Sequence, residues 1–195
     1  MSAARSLVLL LLALNPLNEA VPSQSHVRTI DQHWFTRFLE SRAISSSVRK
    51  LRRTLKHAIL RVRTRNFGKN KSNRQSWHSS EMLSAGYFRR FWGANNSEVT
   101  AASADRALQE LVDDAILPAI NTYLGDQGAG RPFQVTLLNL WATVSNQGGN
   151  HIWHIHPDSV ISGVFYVDAG KSRSFPSDEL GTLVLSDPRP QVSPS

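Results

Sequence analysis

Three of the seven histidines lie within six positions, at His151, His154 and His156, and Asp158 follows them closely. Alternate residues of a strand point to the same face, so His154 and His156 are expected to project together, with Asp158 if the strand continues past Pro157. Two imidazoles can fill two positions around an octahedral metal, and ligands without thiolate suit iron, zinc or manganese. An H-x-H pair is also common by chance, and the alternative is a pair of solvated surface histidines.

The composition limits what kind of site this can be. The chain contains no cysteine, which excludes thiolate metal sites, disulfides and cysteine nucleophiles. Its 195 residues, 41% hydrophobic and 19% charged, are enough for one globular domain with a core. The net charge of +7 favours nucleic acid, an anionic membrane or an acidic partner.

The elements around the histidines are predicted to be strands. Phe133 to Val144 is rich in strand-forming residues, and Val160 to Val167 reads as a buried strand. Gly148-Gly149 predicts a turn before the histidines, His151 to His156 alternates like a strand or its edge, and Thr182 to Leu185 predicts a further short strand.

Helices are predicted upstream of these strands. A helix is expected from Ala102 to Tyr123, with Ser103 and Asp105 offering cap chemistry at its start and Pro118 kinking it. The segment from Phe67 to Gly86 is loop-like in composition.

A basic segment runs from Arg42 to Arg74 without any Asp or Glu. Its apolar residues recur every three or four positions and predict an amphipathic helix with a cationic outer face, about Ser45–Arg65; they are Ile44, Val48, Leu51, Leu55, Ile59 and Val62. One interpretation is contact with phosphate or an anionic membrane surface. The favoured alternative is a solvated face packed on the domain by its apolar stripe, because no aromatic residues alternate with the charges to stack bases.

The first 20 residues predict a targeting segment. A short basic start is followed by the apolar run Ser6 to Leu14 and by polar residues ending at Ala20, the pattern of a signal peptide for the secretory pathway or secretion. Plastid or mitochondrial targeting is the alternative, and so is a buried or interfacial apolar helix. The run is too short for a transmembrane span.

Several motifs occur in an order that resembles one protein family. They are Asn139-x-Trp141, Val144, Gly148-Gly149-Asn150, His154-Ile155-His156-Pro157-x-Ser159 and Ser162-Gly163-Val164-Phe165-Tyr166-Val167. The later Gly181-x-Leu183 and Asp187-Pro188-Arg189 follow the same pattern, as do the upstream Lys71-Ser72-Asn73-Arg74 and Trp77-His78-Ser79. Over roughly residues 65 to 190 the chain thus resembles a largely uncharacterised family of 2-oxoglutarate- and Fe(II)-dependent oxygenases.

This resemblance implies a double-stranded β-helix, or jelly roll, with Fe(II) bound at one mouth. Such enzymes hydroxylate a substrate with 2-oxoglutarate and O₂ and release succinate and CO₂; the substrate here is unknown. Iron is usually held by an H-x-D/E pair and a distal histidine. His154 occupies the first place and His156 the second, because His-x-His-Pro belongs to the family pattern. Asp158 is the alternative second ligand, or else a carboxylate that caps the turn.

The cosubstrate residues are also implied by the resemblance. Asn139 and Tyr166 are expected to lie beside the ligands, where they can hydrogen-bond 2-oxoglutarate, whereas core packing is the favoured role of Trp141. Trp77, His78 and Ser79 form either a loop over the barrel mouth or a packed surface loop.

The chain departs from the family pattern after Arg189. The family continues through strands that carry the distal histidine and a basic residue for the 2-oxoglutarate carboxylate, but this sequence ends at Ser195 and has no histidine after His156. The remaining histidines, His26, His33, His57 and His78, lie upstream of the expected position. We therefore expect an incomplete or inactive dioxygenase, with a jelly roll left open at its C-terminal end.

The predicted fold is α+β, with N-terminal helices followed by a double-stranded β-helix module that is incomplete at the C-terminus. The predicted divisions are a targeting segment at 1–20, a basic helical region at 21–66 and a partial oxygenase domain at 67–195. Two other functions remain open. One is a non-catalytic binding module whose basic helix contacts anionic partners, and the other is a zinc-binding or cupin-like protein without 2-oxoglutarate chemistry.

Overall fold

A computed structural model of the chain describes residues 5–15, 26–30, 38–42, 46–71, 73–80, 84, 86–92, 100–126, 134–156, 159, 161–169 and 183. The strands are Arg5–Asn15 (β1), His26–Ile30 (β2), Phe38–Arg42 (β3), Asn73–His78 (β4), Gln134–His151 (β5) and Ile161–Asp168 (β6). The helices are Ser46–Arg65 (α1), Ala101–Leu111 (α2) and Leu117–Asp126 (α3), with a 3₁₀ turn at Phe88–Phe91 and a π-helical turn at Val112–Ile116.

Four strands form one antiparallel sheet in the order β4-β5-β1-β6, while β2 and β3 pair separately. The fold is therefore a mixture of helices and strands with a small antiparallel sheet, and the strands described do not make up a complete jelly roll. Three strands precede α1, so the chain does not begin with helices as its sequence predicts.

The apolar run predicted as a targeting segment lies in β1, between β5 and β6. Its backbone pairs with β5 from Arg5 to Asn15 and with β6 from Ser6 to Leu12. A short continuous apolar run is typical of a buried strand as well as of a helix, and two strand neighbours satisfy its backbone groups on both edges. The alternative of an apolar helix is therefore wrong, whereas a role in targeting stays a prediction.

The predicted amphipathic helix is confirmed in α1. Its apolar residues pack into the core, and Leu55, Ile59 and Val62 are each only 1% exposed. Burial of each such side chain stabilises the fold by about 1.5–3 kcal/mol. Among the helices described, none is long and apolar enough to cross a membrane.

Polar contacts fix α1 against the sheet. The Arg52 Nε donates a hydrogen bond to the Val167 carbonyl at 2.8 Å, and the Lys56 Nζ lies 2.5 Å from the Asp168 carboxylate. Both partners belong to the end of β6, so these contacts attach α1 to that strand.

The predicted long helix is divided into α2, the π-helical turn and α3. Its N-cap is Thr100, whose hydroxyl accepts from the Ser103 N–H at 3.1 Å, while the Ser103 hydroxyl donates to the Thr100 carbonyl at 2.8 Å. Ser103 therefore takes part in the cap as predicted, whereas Asp105 does not. The Asp105 carboxylate instead accepts from the Phe88 N–H. The π-helical turn ends two residues before Pro118, as expected where proline cannot donate and its ring crowds the carbonyl four residues back, that of Asp114.

The loop predicted over Phe67 to Gly86 and the turn predicted at Gly148-Gly149 are both wrong in part, because the two segments pair with each other as strands. Residues 73–78, within the predicted loop, form β4 against β5, and the predicted glycine turn lies inside β5. The register shifts between Arg74 and Ser76, where Gln75 has a φ of +50° opposite a segment in which Gly148 has a φ of +77°. Four residues of β5, 146–149, thus lie opposite Gln75 alone, so β5 carries three extra residues in a β-bulge that shifts the register without ending the strand. The strand predicted at Thr182 to Leu185 lies outside the described residues except for Leu183.

Candidate functional site

The two faces of β5 have different environments. Leu140, Ala142 and Val144 are buried in the core together with α1. Trp141 and Thr143 alternate with them and point to the opposite face. His78 of β4 pairs with Thr143, and its neighbour Trp77 pairs with Val144, so His78 lies on the same face as Trp141. We call this surface the site face.

Aromatic and imidazole rings contact one another on the site face. The His78 and Trp141 rings stack with centroids 5.4 Å apart and planes 22° from parallel. The Trp141 ring also lies 5.8 Å from that of His156. Trp141 thus contacts both His78 of β4 and His156 of the segment after β5. Its predicted role in core packing is not confirmed, because Trp141 is only partly buried and does not belong to the core cluster.

His154 and His156 lie next to each other as expected, although for a different reason. Their ring centroids are 4.7 Å apart in an edge-to-face arrangement, and His151 lies 6.1 Å from His154. Only His151 belongs to β5; residues 152–156 are not in a strand. The predicted strand alternation is therefore wrong, and local chain folding brings the two rings together.

Two of the histidines are held by backbone carbonyls. His154 Nδ1 lies 2.7 Å from the Ile152 carbonyl, and His78 Nδ1 lies 2.7 Å from the Ser79 carbonyl. A carbonyl only accepts, so Nδ1 carries the proton and Nε2 retains its lone pair. The same arrangement, with one ring nitrogen donating to a carbonyl, orients histidines that bind metals.

Burial and neighbouring charges keep three of these imidazoles neutral. Burial lowers the pKa of His151 to about 4, with further contributions from His154 and His78. The pKa of His156 is lowered by burial and then by the charges of His154 and Lys71. Burial also lowers the pKa of His78, against the opposing effect of its hydrogen bond to the Ser79 carbonyl. Neutral imidazole is the form that binds metal ions.

Lys71 brings positive charge to the same face. Its Nζ lies 6.0 Å from the Trp141 ring centroid, and its charge helps to lower the pKa of His78 and His156. The Lys71 backbone N–H donates to the Asn73 side-chain oxygen at 2.7 Å, which holds the residue at the start of β4. An anion entering the site would meet this ammonium group.

Comparison with known proteins covers part of this site, including Trp141, His154 and His156 but not His78 or Lys71. Residues 139–194 match the family described as "Putative 2OG-Fe(II) oxygenase". The match is confined to this segment and supports the family that the sequence motifs resemble. No curated protein and no solved structure is significantly similar to the chain.

The other predicted site residues of the matched segment are spread over the sheet. Asn139 is exposed on β5, and Tyr166 is half-buried on β6, where burial raises its pKa. Since β1 lies between these strands, they are about 10 Å apart. The cosubstrate roles of Asn139 and Tyr166 stay predictions, and Asp158 lies outside the described residues. Among the residues that the structure describes, no three His, Asp or Glu side chains lie close enough together to hold a metal ion.

The position of His78 on this face was not predicted. With Trp77 and Ser79 it was expected to form a loop over the barrel mouth or a packed surface loop, and this prediction is wrong because Trp77 and His78 belong to β4. A strand prediction at residues 73–78, with alternate residues assigned to opposite faces, would have placed Trp77 and His78 on opposite faces; both are buried. Pairing with Thr143, which places His78 beside Trp141, depends on a distant strand and has no local signal.

Proposed function

We propose that residues 139–194 contribute the metal-binding part of a 2-oxoglutarate- and Fe(II)-dependent dioxygenase of the hydroxylase type. The observation that carries this proposal is the family match, which includes the adjacent His154 and His156. In the proposal these two imidazoles bind Fe(II), and Asp158 is the alternative to His156 as second ligand.

The donor chemistry of the pair supports this assignment. The Nδ1 of His154 faces a carbonyl, so in the neutral ring the lone pair lies on Nε2, and burial lowers the pKa of His156, which favours its neutral form. Neutral imidazoles suit Fe(II), although two of them fill only part of a ligand set. When bound, Fe(II) and 2-oxoglutarate supply the oxidising chemistry, and the residues of this chain hold and orient the metal.

The cosubstrate carries two carboxylates and requires a cation. Lys71 supplies positive charge at the site face, next to Trp141 and within electrostatic reach of His156. In the proposal Lys71 attracts the 2-oxoglutarate dianion, while Asn139 and Tyr166 offer hydrogen bonds to its oxygens. This role for Lys71 differs from the family pattern, in which the basic residue follows the distal histidine.

Metal binding by the full-length chain tests the proposal. Fe(II) is titrated anaerobically and the bound metal is measured by equilibrium dialysis, with and without 2-oxoglutarate. His154→Ala and His156→Ala are each expected to weaken Fe(II) binding by at least about tenfold. The control, His57→Ala, changes an exposed histidine of α1 and should have little effect on Fe(II) binding.

Comparison of His156→Ala with Asp158→Asn decides which residue is the second ligand, because only loss of a ligand should weaken binding. Wild-type binding in His154→Ala and in His156→Ala would contradict the proposed site. Succinate release from 2-oxoglutarate, measured on the same samples after O₂ is admitted, reports the reaction separately from metal binding.

A second candidate function is anion binding by α1. It is favoured by a specific observation, a concavity between α1 and the end of β6 in which several cationic side chains of the helix converge. This function does not depend on the metal site and can belong to a protein with or without catalytic activity.

A further inference from the structure

A groove of about 480 Å³ lies between α1 and the end of β6. Its walls are formed by side chains from the first three turns of α1 and by Val167 and Asp168. The helix side contributes Arg49, Arg53 and His57 together with Arg52 and Lys56. The volume is within the usual range for pockets that hold small molecules.

The single carboxylate among the lining residues does not leave the groove acidic. The Lys56 Nζ lies 2.5 Å from the Asp168 Oδ2, so the two charges compensate each other. The Arg52 Nε is directed to the Val167 carbonyl. These two residues attach the helix to the strand. Lys56 is paired with a carboxylate, whereas Arg52 keeps its charge, and Arg49 and Arg53 of the same helix add further positive charge.

Arg49, Arg53 and His57 are spaced four residues apart and so lie one above another along a single edge of α1. All three side chains are exposed. No hydrogen bond or ion pair joins the side chain of Arg49 or Arg53 to another described residue. Like charges at this spacing repel each other, and an anion bound between them would remove that repulsion.

The basic residues in the second half of α1 contact other residues of the protein. Arg61 lies over the Trp92 ring at 4.8 Å, Arg63 donates to the Asn146 side chain at 2.9 Å, and Arg65 donates to the Phe91 carbonyl. The available charge is therefore concentrated in the first three turns and does not extend along the whole helix. This arrangement fits a compact anion better than a long polyanion such as nucleic acid.

The apolar residues of α1 also argue against a membrane surface as the partner. A helix that lies in a bilayer interface inserts an apolar face into it. Here that face, with Leu55, Ile59 and Val62, is already buried in the core. The side chains of α1 that the structure describes as exposed are all polar: Arg49, Lys50, Arg52, Arg53, His57, Thr64 and Arg65.

We propose that this groove binds the phosphate group of a phosphorylated small molecule, with Arg49 and Arg53 as the principal donors and His57 beside them. Guanidinium groups bind phosphate oxygens through paired, charge-assisted hydrogen bonds, which gives arginine an advantage over a single ammonium group. The inference deepens the second candidate function and rests on it, because it names the ligand class and the part of α1 that binds it.

The test is isothermal titration calorimetry of the full-length chain with pyrophosphate at physiological ionic strength. The double variant Arg49→Gln with Arg53→Gln should bind at least about tenfold more weakly, since each lost charge-assisted hydrogen bond has an effect of that order. The control, Lys50→Gln with Arg106→Gln, removes the same charge from two exposed residues that do not line the groove. It should bind within about twofold of wild type. Circular dichroism verifies that both variants are folded.

Three results would overturn the inference. Equal weakening in both double variants would mean that net charge, and not the groove, attracts the anion, which leaves general anion binding by α1 intact. Tight binding of a DNA duplex or of phosphatidylserine vesicles with negligible binding of pyrophosphate would indicate a macromolecular polyanion instead. Absence of binding to pyrophosphate, duplex and vesicles would remove the second candidate function as well.

Discussion

Acidification is expected to destabilise the fold through His151. The pKa of this imidazole is lowered to about 4, first by burial and then by the charges of His154 and His78. The unfolded chain takes up the proton near pH 6.5, whereas the folded chain resists it until about pH 4. The unfolded state therefore binds more protons in this window, and the free energy of unfolding falls as the pH falls.

The size of the effect follows from the two pKa values. A difference between 6.5 and about 4 corresponds to roughly 3 kcal/mol at most. His151 is only partly exposed, and screening by solvent reduces the figure. The full stability is present above pH 6.5, and the loss is complete near pH 4. For a domain of ordinary stability, about 5–15 kcal/mol, such a loss is readily measured.

Urea unfolding at pH 7, 6, 5 and 4.5, followed by tryptophan fluorescence, measures this dependence. His151→Gln removes the titrating group and keeps a polar side chain. The variant should therefore lose less stability than wild type between pH 6.5 and 4.5. His78 and His156 also have lowered pKa values, but they remain in both proteins, so the difference between the slopes reports His151. Identical slopes for variant and wild type would refute the reasoning.

Two further predictions concern the elements that support the site. Ile59→Ala removes a side chain that is 1% exposed in the core and should lower the free energy of unfolding by about 2–4 kcal/mol in urea denaturation; an effect below about 0.5 kcal/mol would contradict the packing of α1. Gly68→Ala should destabilise the fold by more than about 1 kcal/mol, because the residue has a φ of +75° and a Cβ there would lie 2.3 Å from the His78 carbonyl. Gly125→Ala, where a Cβ meets nothing within 4 Å, is the control, and an equal effect of both changes would show that Gly68 is not required.

The elements that were predicted correctly are those with a strong local pattern. In α1 apolar residues recur at three and four positions between cations, and the buried side is the one formed by Leu55, Ile59 and Val62. β6 is a short run of apolar and aromatic residues and lies at Ile161–Asp168, within one residue of its predicted bounds at each end. In both cases the residues that decide the structure are close together in the sequence.

The elements that were predicted wrongly depend on partners far away in the chain. β4 is mainly polar, and it is a strand because its backbone pairs with β5. The apolar run in β1 was compatible with an apolar helix, yet it is a strand whose backbone pairs on both edges. Gly148 suggested a turn but lies within β5, because the bulged pairing with β4 accommodates its positive φ.

The candidate site likewise combines one contact between residues close in the sequence with one between residues far apart in it. His154 and His156 are two residues apart, so their proximity was foreseeable even though the strand that was expected to produce it is absent there. His78 lies more than 60 positions before Trp141, and their stacking depends on the register of β4. No pattern within residues 73–78 specifies that register.

The register of β4 connects the stability of the fold with the chemistry of the site face. A shift of one residue would exchange the two faces of the strand, and His78 would then enter the core while Trp77 left it. Trp77 opposes this shift because it is buried in the core and its indole N–H donates to the Asn66 carbonyl at 2.8 Å. The bulge at Gln75 adjusts the pairing without moving these two residues from Thr143 and Val144. The packing of one tryptophan in the core therefore determines that an imidazole lies on the site face beside Trp141.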